Sequence, residues 1–213
     1  GARVALRRMA SLQGMAGALA LALAVAGPAL GKPAVERRKA GSLAGQLLVA
    51  RPQMNDPRFS HAVIYMLRHD ASGALGLIVN RPFKEVPIAL LLDRLGLEGE
   101  GVGGSLRMHY GGPVEPGRVF VLHTADYRGE GTRVIADGIA LTAPPGILRA
   151  IGAGVGPRRA LLVLSYSGWA PGQLEREIQA GAWISVPADA ALIFDDRDDT
   201  KWERAMARRE IEL

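Results

Sequence analysis

Cysteine is absent from this chain. That excludes disulfides, thiolate nucleophiles and cysteine-ligated zinc, but it is silent on compartment, because a cysteine-free chain suits reducing and oxidising surroundings alike. Aromatic residues are scarce, at 5%. Long apolar runs are lacking too. The one unbroken stretch of small and apolar residues, Met15–Ala26, has 12 residues, against the roughly 20 that a spanning helix needs. An excess of positive charge is missing from most of the chain, although the total is +5. Seven of the 26 Lys/Arg and one of the 21 Asp/Glu fall within residues 1–40, which leaves 19 basic against 20 acidic residues in 41–213. Non-specific nucleic-acid affinity comes from neutralising phosphates, and this near-neutral segment has no net excess to do so. Strong nucleic-acid binding is therefore not expected.

What is present divides the chain in three. Residues 1–31 have the parts of a secretory signal in order: Arg3, Arg7 and Arg8, the apolar run, then a Gly27-Pro28 break with small residues Ala29 and Gly31 after it. This predicts an exported, periplasmic protein if the leader is genuine. It also predicts no transmembrane helix in the mature chain. Residues 32–44 read as a flexible charged linker, and residues 45–213 as one domain with ample chain for a core.

Along the domain, short β-rich runs punctuated by turn residues predict strands at Gln46–Ala50, His61–Arg68, Ala74–Val79, Leu106–Tyr110, Arg118–His123, Trp183–Val186 and Ala191–Phe194. Asp137-Gly138 between Thr132–Ala136 and Ile139–Thr142 is a hairpin signal. Ala160–Ser165, apolar throughout until its last residue, predicts a central strand. Helices are expected at Pro87–Leu95, Pro145–Ile151, Pro171–Ala180 and Thr200–Arg209, the last with Thr200 and Glu203 spaced as a capping box. Hairpins with irregularly placed helices argue an α+β fold, not a repeating βαβ sheet.

Five segments in this order resemble the YqgE/AlgH family: Gly45-Gln-Leu-Leu-Val-Ala-Arg-Pro-Gln-Met-Asn-Asp-Pro-Arg-Phe59; Arg68-His69 with Gly73-Ala-Leu-Gly76 and Val79-Asn80-Arg81-Pro82; Gly111-Gly-Pro-Val114 with Val121-Leu-His123; Tyr166-Ser-Gly-Trp169 running into Pro171-Gly-Gln-Leu-Glu175; and Trp183. Ser165 departs from the pattern, since the family has glycine before the tyrosine. The resemblance implies a coiled, bifurcated, mainly antiparallel sheet forming a pseudo-barrel with flanking helices. It also implies a cytoplasmic location as the alternative to export, and it implies no agreed reaction. Some members carry a regulator label.

Chemical motifs are few. Gly99-Glu-Gly101-Val-Gly103-Gly104 spells G-x-G-x-x-G, but the dinucleotide mechanism needs a strand before it and a helix after it. Here the predicted order is reversed, and Glu98 and Glu100 would repel phosphate. No P-loop and no G-x-S-x-G elbow occur. The histidines 61, 69, 109 and 123 show no metal spacing, so neither a metal nor a cofactor is expected. Asp195–Asp199, with four carboxylates, reads as a solvated turn placing negative charge at a helix N-terminus.

The candidate ligand- or partner-binding residues are His69, Asn80, His123, Tyr166, Trp169, Gln173 and Glu177, with none assigned a catalytic role. Gln173 and Glu177 share a helix face at i, i+4, and the helix N-terminus could present free amides to an anion. The expectation is a non-enzymatic binding or regulatory module for an unknown small molecule or protein. A metal-free enzyme using His69 or His123 with Glu177 is the alternative, and a direct DNA-binding regulator lacks a helix-turn-helix signature. Convergence of His69, His123 and Glu177 in one pocket would favour the enzyme; their separation, together with an exposed apolar patch, would favour the partner-binding module.

Overall fold

The computed structural model describes residues 41–211 except Asp137; the leader and most of the linker lie outside the described residues. The elements run β1 (Gln46–Ala50), β2 (Val63–Asp70), β3 (Gly73–Ile78), β4 (Pro82–Pro87), α1 (Ile88–Arg94), β5 (Ser105–Tyr110), β6 (Val114–Thr124), β7 (Arg133–Ala136), β8 (Ile139–Thr142), α2 (Gly146–Gly152), β9 (Ala160–Trp169), α3 (Gln173–Gln179), β10 (Trp183–Pro187), α4 (Ala190–Phe194) and α5 (Lys201–Ala207). No helix among the described residues is long and apolar enough to cross a membrane.

The main path of the sheet is β10-β1-β2-β3-β9-β6-β8-β7, with β4 and β5 branching from β9. Every pairing is antiparallel except β5 with β9. One apolar cluster draws Val49, Tyr65, Leu77, Val163, Leu122, Ile139 and Val186 from seven strands, and α4 and α5 pack into it through Ile193 and Ala205. So many strands can share one cluster only if the sheet curls around it, which it does as a half-barrel. A second cluster lies on the outer face of β1–β3 under α3, and a third lies between the β4–β5 branch and helices α1 and α2.

The fork is built at β9. Its first half pairs with β5 at Leu162–Leu164 and its last residues pair with β3 at Ser167–Trp169, while β6 runs along the other edge. Ser165 sits at the divergence with φ +67°, the left-handed region that disfavours a Cβ. Gly111 fills the crotch. Its N–H donates to Leu164 O at 2.8 Å, and its carbonyl accepts from Ile78 N at 3.1 Å and from Ser167 Oγ at 3.0 Å. A Cβ on Gly111 would fall 2.4 Å from Ser165 O, and one on Gly112 would fall 2.3 Å from the Tyr166 carbonyl. Those two glycines are therefore required by close backbone approach.

Three expectations are corrected. Ala191–Phe194 is part of a helix, α4, because Asp189 caps it by accepting from Ala191 N at 2.8 Å. β4, bracketed by Pro82 and Pro87 on the branch edge, is an additional strand. Thr200 makes no capping bond; its hydroxyl accepts from Arg204 Nε at 3.2 Å instead. In addition, residues 42–44, read as linker, are fastened to β2. Ser42 Oγ donates to His69 O at 2.9 Å and Leu43 N–H donates to His69 Nδ1 at 3.1 Å.

The left-handed serine gives a stability test. Glycine at position 165 removes a cost of about 1–2 kcal/mol and adds about 0.5–1 kcal/mol of unfolded-state freedom. Ser165→Gly is expected to stabilise by about 0.5–1 kcal/mol in urea unfolding, whereas Gly112→Ala is expected to destabilise by at least about 3 kcal/mol.

Candidate functional site

The polar groups of the corner after β9 turn inward. Gln173 and Glu177 share a face of α3, as their spacing requires, and that face meets two indoles. Glu177 Oε2 accepts from Trp169 Nε1 at 2.9 Å and from Trp183 Nε1 at 2.8 Å, while its Oε1 accepts from Gln173 Nε2 at 2.9 Å. Gln173 Oε1 in turn accepts from Ala170 N–H at 2.9 Å. The two indoles, 6% and 2% exposed, meet edge to face at 5.9 Å. Gln173 and Glu177 are thus half-buried, not freely exposed. At the helix N-terminus, one of the amides expected to be free is already bonded. The helix has only seven residues, and the Gln173 amide is spent on Ala170 O at 3.0 Å.

His69 lies beside this corner. Because its Nδ1 accepts from Leu43 N–H, the ring proton is on Nε2, which donates to Glu175 Oε1 at 2.8 Å. Glu175 is exposed, and a bond from its own backbone amide, then His69, holds its carboxyl below the usual range. Asn80 is a bracket, with Oδ1 accepting from Val63 N–H at 2.9 Å and Nδ2 donating to His61 O at 2.8 Å. Tyr166 packs its half-buried ring edge-on against Phe120 at 6.3 Å, with the Arg118 guanidinium over both rings. Burial, then the charge of Glu115, raises its hydroxyl pKa.

His123 is fully buried between Thr124 O and Thr142 Oγ1, each 2.8 Å from a ring nitrogen. Burial lowers its pKa against the weaker pull of the Thr124 bond and the Asp126 charge, so it stays neutral at pH 7. It pairs with Ala160 at the start of β9, whereas His69 is reached from Trp169 at the other end through Ala74. The structure therefore brings His69 to Glu175 and Glu177 to two tryptophans, and it leaves His123 apart from both. The G-x-G-x-x-G loop runs from α1 into β5, opposite to the order a dinucleotide needs. Among the described residues no three His, Asp or Glu side chains are placed to hold a metal ion.

One feature escaped sequence reasoning. Asp195–Asp199 is not a solvated turn, because Asp198 is buried and Lys201 is fully so. Lys201 Nζ reaches Asp198 Oδ1 at 2.9 Å and the Ile193 carbonyl at 2.8 Å, and Arg107 reaches Asp198 Oδ2 at 3.0 Å. His109, also buried, sits 3.5 Å from Asp198. Burial lowers the Lys201 pKa against the pull of Asp198 and Asp195. The available signal was Lys201 at i+3 from Asp198, which charge counting alone treats as surface. Burial raises Asp195, but its bond from Arg204, the Arg197 amide and the Lys201 charge outweigh that and bring it down to about 2.

The AlgH-like family model matches residues 47–213. A UPF0301 protein of Rhodospirillum rubrum is 43% identical over 180 residues, spanning 84% of this chain and 94% of its own length. One of Bradyrhizobium diazoefficiens is 48% identical over 177 residues, spanning 79% and 83%. The solution structure of the AlgH protein from Pseudomonas aeruginosa superposes with TM-score 0.68 at 33% identity, covering 82% of this chain and 92% of that one. A crystal structure of a Corynebacterium diphtheriae protein gives TM-score 0.64 at 21% identity over 81% and 89%, a likeness of fold alone.

Two outcomes check the roles assigned to the carboxylates. Glu177→Ala strands two buried indole N–H groups at about 1–3 kcal/mol each, so a total loss of about 2–5 kcal/mol is expected in thermal or urea unfolding. A loss within experimental error would mean that Glu177 is free for a ligand. Asp195 has a folded pKa below its unfolded value, so its stabilisation is full above about pH 4 and is lost as pH falls toward 2. Asp195→Asn should remove about 2 kcal/mol of the acid-dependent stability change over that window.

Proposed function

The chain belongs to the AlgH-like family, and from that premise we propose that it is a non-enzymatic binding protein that engages a protein partner through the outer surface of the α3 corner. The observation that carries this reading is the separation of its protonatable groups. His69, His123 and Glu177 occupy different places, and each is held by structural hydrogen bonds. General acid–base catalysis needs such groups within reach of one substrate, and the enzyme reading has no such convergence behind it.

The corner does not carry the exposed apolar patch that the sequence reading paired with this module, since the exposed large apolar residues among the described residues are Phe83, Leu90 and Val155; it offers a charged outer surface on a rigid base. Glu175, Arg176 and Gln179 on α3 are exposed, as are Arg68, Asp70 and Ser72 around the neighbouring β2–β3 turn. The Glu177 clamp and the His69–Glu175 bond link that surface to buried tryptophans and to β2. A surface held this way loses little side-chain freedom on docking. The near-neutral balance of residues 41–213 supports a protein partner over nucleic acid.

The test is a variant with Glu175→Lys, Arg176→Glu and Gln179→Ala in a deletion strain of the native host. Exposed positions like these should shift stability by less than about 0.5 kcal/mol each, so the melting temperature should hold while complementation is lost. Full complementation by a folded triple variant would remove the reason for placing a recognition surface there.

A further inference from the structure

The glycine-rich stretch between α1 and β5 runs in the wrong order for a dinucleotide, but it forms one wall of a cleft whose other wall is α2. The loop is pinned at both ends. Gly99 N–H donates to Asp93 Oδ1 at 3.1 Å, Val102 N–H donates to Gly99 O at 3.1 Å, and Gly104 O accepts from Ile88 N–H at 3.0 Å. Val102 seats the loop against the helix so closely that a Cβ on Gly152 would fall 2.3 Å from Val102 Cγ1. The cleft has a volume of about 390 Å³ and is lined by Glu98, Gly101 and Val102 from the loop and by Arg149, Gly152 and Ala153 from α2 and its C-terminal cap. That volume lies within the range of small-molecule sites.

Glu98 and Arg149 bring opposite charges to the two walls. Both are exposed, and neither side chain makes an ion pair or hydrogen bond among the described residues, with the other or with any neighbour. Exposed charges without partners are common on a protein surface. These two differ in lining one concave site while standing farther apart than the roughly 4 Å at which an ion pair would close. On the same wall as Glu98, the Gly101 N–H has no acceptor among the described residues. Gly101 holds φ +78°, with open space where a Cβ would stand, so a ligand can approach its backbone closely. Val102 and Ala153 add aliphatic surface to the lining.

We propose that this cleft binds a free α-amino acid with an aliphatic side chain. The planar fork of Arg149 matches a carboxylate, and the Gly101 amide is a further donor to it. Glu98 takes the ammonium, and Val102 and Ala153 take the side chain. A lone anion meets Glu98 as a like charge and a lone cation meets Arg149 as one, so each leaves a wall uncompensated where a zwitterion answers both. The cleft belongs to the β4–β5 branch and its two helices. It shares no residue with the α3 corner and does not rest on the partner-binding reading.

The test uses the full chain, labelled with ¹⁵N and titrated with L-leucine at constant ionic strength. Separate titrations use leucinamide, which lacks the carboxylate, and 4-methylpentanoate, which lacks the ammonium. Saturable shifts at Gly101, Val102, Ala153 and the Arg149 Nε–H are expected with leucine, and binding weaker by about tenfold or more with each of the other two. Arg149→Gln and Glu98→Gln should each weaken leucine binding by about tenfold or more, and as exposed positions both should keep the melting temperature of the parent. Glu130→Gln, which removes an exposed carboxylate between β6 and β7, should leave binding unchanged. Non-saturating shifts with leucine, equal binding of leucinamide or 4-methylpentanoate, or unchanged affinity in folded Arg149→Gln and Glu98→Gln would each overturn the assignment.

Discussion

The backbone of Gly111 joins three strands that would otherwise part company. Its amide closes the β5 side of the fork against Leu164, and its carbonyl takes an amide from Ile78 and a hydroxyl from Ser167. Without that junction, β3 and β5 would each leave β9 with unpaired polar groups at the centre of the molecule, a cost that buried backbone rarely bears. The curl of the sheet, the division into three apolar clusters and the placing of α3 beyond Trp169 all follow from how β9 passes this point. Ser165 tolerates a left-handed backbone so that the passage can occur.

Much of the chain's polar chemistry serves the same end. A carboxylate on α3 gathers two indoles, an asparagine brackets the start of β2, and a histidine between two threonines satisfies the interior of β6 and β8. A buried lysine draws Asp195 and Asp198 under α5, with Arg107 on the other side. Removing one member of such a set leaves its partners uncompensated in a low dielectric, which is costlier than never burying them. Residue types that invite a catalytic reading are here fastening elements of a sheet in a chain that has no cysteine.

The sequence made the strands and the central position of Ala160–Ser165 legible, because alternation, apolar runs and turn residues are local signals. It also pointed to Ser165 as the odd position, and the +67° φ there is one that glycine adopts without the steric cost of a Cβ. What stayed hidden was non-local. α4 looked like a strand because Ala191–Phe194 is short and apolar, and only the Asp189 cap, which competes with that pattern, decides it. Glu177 looked exposed because its acceptors' partners come from β9 and β10, on either side of its own helix. The Asp195–Lys201 group looked solvated because charge reads as surface until Arg107 and His109, some 90 residues earlier, are folded over it.

The order in which the chain is threaded through the sheet has a consequence for how it is made. β1, the first strand among the described residues, lies between β2 and β10, and β3 has its second paired strand in β9. During synthesis, then, β1 to β3 can form a hairpin-rich meander, but each of its two open edges waits for residues that emerge more than 85 positions later. Such late, long-range pairing is slow and leaves strand edges exposed to other chains in the interval. A ribosome would have to pass Pro187 before the half-barrel could close, so the nascent chain spends most of its translation with its earliest strands unprotected.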